Sequence, residues 1–169
     1  MADRRTFLAR AATLLATGGA ACSSPPSEAA AGRLVRLEVV DRASGDALTE
    51  HRHRGATWVA GRPGDRFALR LSNRSGGRVL VVLSVDGVNA VTGQTAAVSQ
   101  GGYVLAPWQT ADITGWRKSD AEVAAFYFTA LPDSYAARTE RPQNVGVIGA
   151  AVFRENPPPA VPFEPPPAI

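Results

Sequence analysis

Between Arg33 and Arg154 apolar and polar residues alternate in short runs separated by turn-forming residues. In "RLVRLEVV" Val35, Leu37 and Val39 face one way and Arg36 and Glu38 the other, the period of a half-buried strand. "RFALRLSN" repeats the pattern, with Phe67, Leu69 and Leu71 inward and Arg66 and Arg70 outward. "RVLVVLSV" is apolar on both faces, which predicts a central strand covered on both sides. "ALTEHRHR" reads as a polar, exposed strand and "ATWVA" as a short one; "GYVLAPW" and "TADITGWR" read as two strands around a turn at Pro107. "EVAAFYFTA" carries two signals. Ser119 to Glu122 form a capping box for a helix, yet Phe126-Tyr127-Phe128-Thr129 favours a strand, and strand is the reading taken. "NVGVIGAAVF" is the last strand, its glycines allowing close packing against a facing backbone.

The breaks between these runs have their own chemistry. "DRASGD" turns the chain, Pro63-Gly64 suits a type II turn, Asn73 to Gly77 makes a loop, and Asp86-Gly87 is a strong hairpin dipeptide. "PDSYAAR" reads as a single helical turn capped by Asp133 or Ser134. Short strands punctuated by Gly, Pro and Asn predict an all-β fold over residues 33–154. The expected form is an antiparallel β-sandwich, jelly-roll or Ig-like, with at most one or two short helical turns. A small barrel fits the same spacing. Residues 155–169, with "NPPPAVPFEPPPAI", are a Pro-rich tail expected to be polyproline II or disordered.

The first 21 residues follow a different pattern. Arg4 and Arg5 stand before Thr6-Phe7-Leu8, and an Ala/Leu-rich run interrupted by Arg10, Thr13 and Gly18 continues to Ala21. A basic start, a short apolar stretch and small residues at its end mark a secretory leader. The Arg-Arg-x-Phe-Leu arrangement resembles a twin-arginine (Tat) signal, with Arg4 and Arg5 as the pair its receptor reads. The stretch is too short and interrupted to span a bilayer, which needs about 20 apolar residues. Gly19-Ala20-Ala21-Cys22 resembles a bacterial lipobox, although Gly19 stands where such sites usually carry Leu or Val. This resemblance implies lipid attachment at Cys22, and residues 22–32 then form a flexible tether. Ala29-Ala30-Ala31 offers the alternative of ordinary cleavage and a soluble periplasmic product.

The leader carries most of the chain's excess charge. It holds three arginines and one aspartate, so the formal net charge of +3 falls to +1 without it. The basic isoelectric point is then no argument for a nucleic-acid partner. One cysteine permits no intramolecular disulfide and no cysteine-based zinc or iron–sulfur site, so stability rests on packing.

The sequence offers little catalytic chemistry. His51 and His53, two apart on a strand, share a face and could hold one metal ion, but Arg52 and Arg54 oppose a cation and Glu50 points away. No Gly-x-Ser-x-Gly elbow accompanies a histidine, no phosphate-cradling loop is present, and no pair among Asp86, Asp112, Asp120, Glu122 and Asp133 is singled out as a glycosidase dyad. "VDGVNAVTGQT" offers Asp86 and Asn89 as polar ligand-binding groups, without the acidic density of a calcium loop. Among Trp58, Tyr103, Trp108, Trp116, Tyr127 and Tyr135, most are expected in the core or over strand ends; Trp116 and Tyr135 are the preferred candidates for contact with a ligand.

The stretches "SVDGVNAVTGQTA", "GYVLAPW", "ITGWRKSDAEVAAFYF" and "DSYAARTERPQNVGVIGAAVF" are long and distinctive. From about Gly61 to Phe153 they resemble a group of uncharacterised exported bacterial proteins. The resemblance implies a recurring module and transfers no catalytic residue. The expectation is a Tat-exported, lipid-anchored envelope protein, periplasmic or at the cell surface. Its sandwich is expected to be a non-catalytic binding or interaction module, with no cofactor and with an envelope protein or glycan as partner. The alternative is a small metal-dependent or hydrolytic envelope enzyme using His51 and His53. A third reading has the Pro-rich tail docking in an aromatic groove of a partner.

Overall fold

Arg66–Asn73 and Val79–Val85, two runs with strong apolar patterns, are the centres of two different sheets. The computed structural model describes residues 7–11 (backbone), 32–117, 122–130, 133–134 and 144–156. In chain order the strands are β1 (Phe7–Ala11), β2 (Val35–Asp41), β3 (Glu50–His53), β4 (Ala56–Gly61), β5 (Arg66–Asn73) and β6 (Val79–Val85). They continue as β7 (Val88–Asn89), β8 (Tyr103–Leu105), β9 (Thr110–Ile113), β10 (Gly115–Arg117), β11 (Val123–Tyr127) and β12 (Val147–Arg154). One helical turn, at 32–34, precedes β2.

The seven-stranded sheet runs β3-β4-β1-β12-β6-β7, with β8 also on β6; the five-stranded sheet runs β10-β11-β5-β2, with β9 also on β5. Both are built alike. β6 has one long partner, β12, and on its other side β7 and β8 in tandem. β5 has β2 on one side and β11 and β9 in tandem on the other. All pairs are antiparallel except β1 with β12. The fold is an all-β sandwich rather than a closed barrel.

The alternation read from the sequence explains why the sheets face each other. Phe67, Leu69 and Leu71 of β5 meet Val79, Val81, Leu83 and Val85 of β6 in one core, joined by Val35, Val39, Ile113, Ile148 and Val152. Arg66 and Arg70 point outward, and Arg70 grips Asp112 of the neighbouring β9 with both ends of its guanidinium, each at 2.8 Å. Aromatic rings fill one end of this core. Phe67 stacks on Phe126 at 5.3 Å and lies 4.6 Å from Phe128, and Trp116 meets Phe126 edge-on at 4.6 Å. Such pairs contribute about 0.5–1.5 kcal/mol each beyond the area they bury. Gly61 closes β4 because a Cβ there would run into the Phe128 ring.

"EVAAFYFTA" is a strand, and "PG" and "DG" are turns of the expected kinds. Gly64 has φ +95° with Asp65 N–H donating to Arg62 O, and Asp86 and Gly87 have φ of 56° and 73°. The turn at Pro107 joins strands of different sheets: β8 lies on β6 while β9 lies on β5, so the chain crosses the sandwich there. "TADITGWR" breaks at Thr114 for a related reason. β9 occupies the β5 edge at Leu69–Ser72, and β11 already takes Arg66 and Phe67, so β10 continues along β11 instead. Inside the segment read as a leader, the backbone of Phe7–Ala11 forms β1 and fills the seam between β4 and β12.

Candidate functional site

The Asp86-Gly87 turn stands at one end of the sandwich, and the structure builds a site on it. The left-handed backbone at Asp86 suits the short polar side chain, which bends back to its neighbours. Asp86 N–H donates to Val147 O at 2.9 Å, and Asp86 Oδ1 accepts from Gly146 N at 2.8 Å. These two bonds clamp the start of β12 to the turn. Burial pushes the Asp86 carboxyl above the usual carboxylate range, against the opposing pull of the Gly146 N–H.

Asn89, fully buried, organises the loop that leaves β7. Its Oδ1 accepts from Val91 N at 2.8 Å and Thr92 N at 3.0 Å, while its Nδ2 donates to Gln100 Oε1 and Gly101 O, both at 3.1 Å. All the bonding capacity of this amide on those atoms serves the loop 90–101. Ala90 O then accepts from Arg117 N at 2.9 Å, which ties the loop to β10 in the other sheet.

Between these elements lies a cleft of about 340 Å³. Asp86, Trp116, Arg117, Tyr127, Thr129 and Asp133 contribute its polar and aromatic lining, with Ala124 and Ala125 on β11 leaving room. Trp116 is anchored from behind by the edge-on contact with Phe126, so its position is fixed by the core. Tyr127 is 44% exposed, and the Arg66 guanidinium lies 5.4 Å from its ring centre on β5. Tyr103 is held by burial above the usual phenol range, an effect that Arg117 opposes. A second depression, of about 400 Å³ between the 41–43 and 64–66 turns, is lined by Asp, Arg, Ala and Gly without an aromatic ring.

Of the residues singled out in the sequence, Asp86 and Trp116 meet in this cleft, and Asn89 lies in the loop that borders it. Arg4, Arg5, Cys22 and Tyr135 lie outside the described residues, as do the tail from Pro157 and most of "PDSYAAR". His51 and His53 are exposed on β3, paired opposite Trp58 and Ala56. β3 and β7 are opposite edges of the seven-stranded sheet, so the histidines stand away from the Asp86 turn at the head of β7. Among the described residues no three His, Cys, Asp or Glu side chains gather in a way that could hold a metal ion.

The structure adds Arg117, Tyr127 and Thr129 to the site. For Tyr127 and Thr129 the signal was present in the alternation: with Ala125 they recur by period two, Thr129 two residues beyond the end of β11. What the sequence lacks is the pairing of β10 with β11, which places Trp116 opposite Ala124.

An aromatic ring fixed by the core, a second exposed ring, a guanidinium, two carboxyls and a hydroxyl form a set suited to stacking and hydrogen bonding. Among the described residues that line the cleft there is no histidine, and the titratable groups are Asp86, Asp133, Arg117 and Tyr127. Comparison with protein-family models, curated proteins and solved structures finds no match for the chain.

Proposed function

We propose that this protein is exported by the twin-arginine route, anchored in the cell envelope through an acylated Cys22, and binds a polar ligand without transforming it. The ligand class is a glycan of the envelope. The observation that carries the binding reading is the convergence of Asp86, Trp116, Arg117 and Tyr127 on one cleft. Aromatic faces stack on the C–H faces of sugar rings, and carboxyls and a guanidinium address their hydroxyls.

The test is a native mass spectrum of the protein released gently from the envelope of its host, followed by titration with envelope glycan fragments. An acyl mass on Cys22 and saturable binding, weakened about tenfold or more by Tyr127→Ala, are expected. A chain cut after Ala31 without lipid would remove the anchor. Turnover abolished by a single side-chain change would overturn the non-catalytic reading.

Processing at Cys22 has a structural consequence. It removes β1, which pairs with β4 along Phe7–Ala11 and with β12 at Arg10 and Ala11. β4 is antiparallel to β1 and β1 parallel to β12, so β4 and β12 are antiparallel and can pair directly once β1 has gone. Amide exchange at Thr57–Gly61 and Val147–Ile148 in precursor and processed chain tells the outcomes apart: equal protection is expected if β4 and β12 pair directly, and lost protection in the processed chain would mean that the seam stays open.

A further inference from the structure

The other end of the sandwich is built for a different contact. Pro107 and Trp108 occupy the central positions of the turn from Ala106 to Gln109, closed by Gln109 N–H donating to Ala106 O at 3.1 Å. Trp108 has φ +62° and is 69% exposed. The second central position of such a turn favours Gly or Asn, and a bulky residue there is an outlier. Its ring is held out in solvent by a backbone that Gly would adopt more readily.

Three features surround this tip. The chain enters the domain beside it, since Asn73 N–H donates to Gln109 O at 2.8 Å and the next residue, Arg74, donates to Leu34 O at 2.7 Å. Exposed arginines cluster there: Arg33 in the entering turn, Arg74, Arg78, and Arg154 opposite Val79 on β12. Glu155 offsets one of them, pairing with Arg78 at 3.1 Å. An apolar row then lies just below the rim, on the outer face of the sheet. Val104, Leu80 and Phe153 are direct cross-strand neighbours on β8, β6 and β12, with Val104 53% and Phe153 36% exposed.

We propose that this end rests on an anionic phospholipid surface, with Trp108 seated at the headgroup level and Arg33, Arg74, Arg78 and Arg154 facing lipid phosphates. Tryptophan partitions to the membrane–water interface, and arginines near an anionic leaflet add attraction. The proposal rests on the Cys22 anchor for its setting. The tether of residues 22–32 spans at most roughly 40 Å when extended, so an anchored domain never leaves the neighbourhood of the bilayer. β6 runs from Val79, next to Arg78 at this rim, to Val85, next to Asp86 at the other end, so the cleft is presented away from the lipid.

The experiment uses the full chain with Cys22→Ser, so that no acyl group contributes, and sediments it with vesicles of phosphatidylglycerol or of phosphatidylcholine. Trp108→Gly is compared in the same background, and the leader is common to both chains. Binding to phosphatidylglycerol is expected to exceed that to phosphatidylcholine and to fall about tenfold in Trp108→Gly, the equivalent of 1.4 kcal/mol. The thermal midpoint should stay level or rise. Arg74→Gln should weaken binding by roughly fivefold. Equal binding of the parent and Trp108→Gly, equal binding to both lipids, or self-association through Trp108 without vesicle binding would each overturn the proposal. Vesicle binding by this acyl-free chain together with an unmodified Cys22 in the host would leave the rim standing and remove the anchor.

Discussion

Two buried asparagines hold the two ends of this sandwich, and they do the same work for opposite surfaces. Asn89, at the end of β7, saturates its amide with Val91, Thr92, Gln100 and Gly101 and shapes the loop beside the cleft. Asn73, at the end of β5, donates to Gly77 O and Ala106 O at 2.8 Å and accepts from Ser75 N and Oγ, shaping the rim under Trp108. The scaffolding is alike, but the turns it supports are not. Asp86-Gly87 obeys the turn rules and presents a half-buried carboxyl; Pro107-Trp108 breaks them and presents an aromatic ring among arginines. The scaffolding therefore does not decide what each end exposes; the residue placed at the left-handed turn position does.

Removing each amide should separate the two ends most strongly. Asn89→Ala leaves two part-buried N–H groups, of Val91 and Thr92, and Gly101 O without their partner, and Asn73→Ala does the equivalent at the rim. Each is expected to cost about 3 kcal/mol in urea denaturation. The functional losses should separate: glycan binding falls with Asn89→Ala and vesicle binding with Asn73→Ala. A cost below about 1 kcal/mol at either site would show that its loop is held by something other than the amide.

The same contrast marks how far the sequence could be read. Period two placed Phe67, Leu69 and Leu71 in the core, and "DG" gave the hairpin, because those features depend only on neighbours along the chain. Asn89 looked like a ligand-binding group because it lies in a polar loop, whereas its partners are up to 12 residues away and appear only when the loop closes. Trp108 read as one more aromatic at a strand end. Its importance rests on a backbone angle, and composition carries no record of φ. The cleft needed β10 to lie on β11, a non-local choice set by competition for the edge of β5.

Relieving the turns should sharpen the difference. Trp108→Gly removes a left-handed tryptophan and is expected to stabilise by roughly 0.5–1 kcal/mol, after the entropy that Gly adds to the unfolded chain. Asp86→Asn keeps an oxygen for the Gly146 N–H and suits the left-handed backbone, so it should stabilise by about 1 kcal/mol at neutral pH. The Asp86 carboxyl is raised by burial, so the folded state holds its proton more tightly than the unfolded chain. Its cost is absent below the ordinary value of about 3.9 and grows as pH rises through the folded value, where Asp86→Asn should flatten the stability profile. An unchanged slope in urea midpoints across that window would place the titration elsewhere.

Asp112 works in the opposite sense and gives the smallest effect. Hydrogen bonding to Arg70 holds its carboxyl below the usual range, against a smaller upward push from burial. Its stabilisation is complete above the ordinary value and disappears as pH falls through the lowered one. The pair is solvent-exposed on both sides, so Asp112→Asn should produce a loss near the limit of a denaturation curve, shrinking further with salt. Asp86→Asn and Asp112→Asn thus move the acid limb in opposite directions. If the double variant shows the sum of the two slopes, the sheet face and the cleft titrate independently; if it does not, charge on one is felt at the other through β5, which pairs with both β9 and β11.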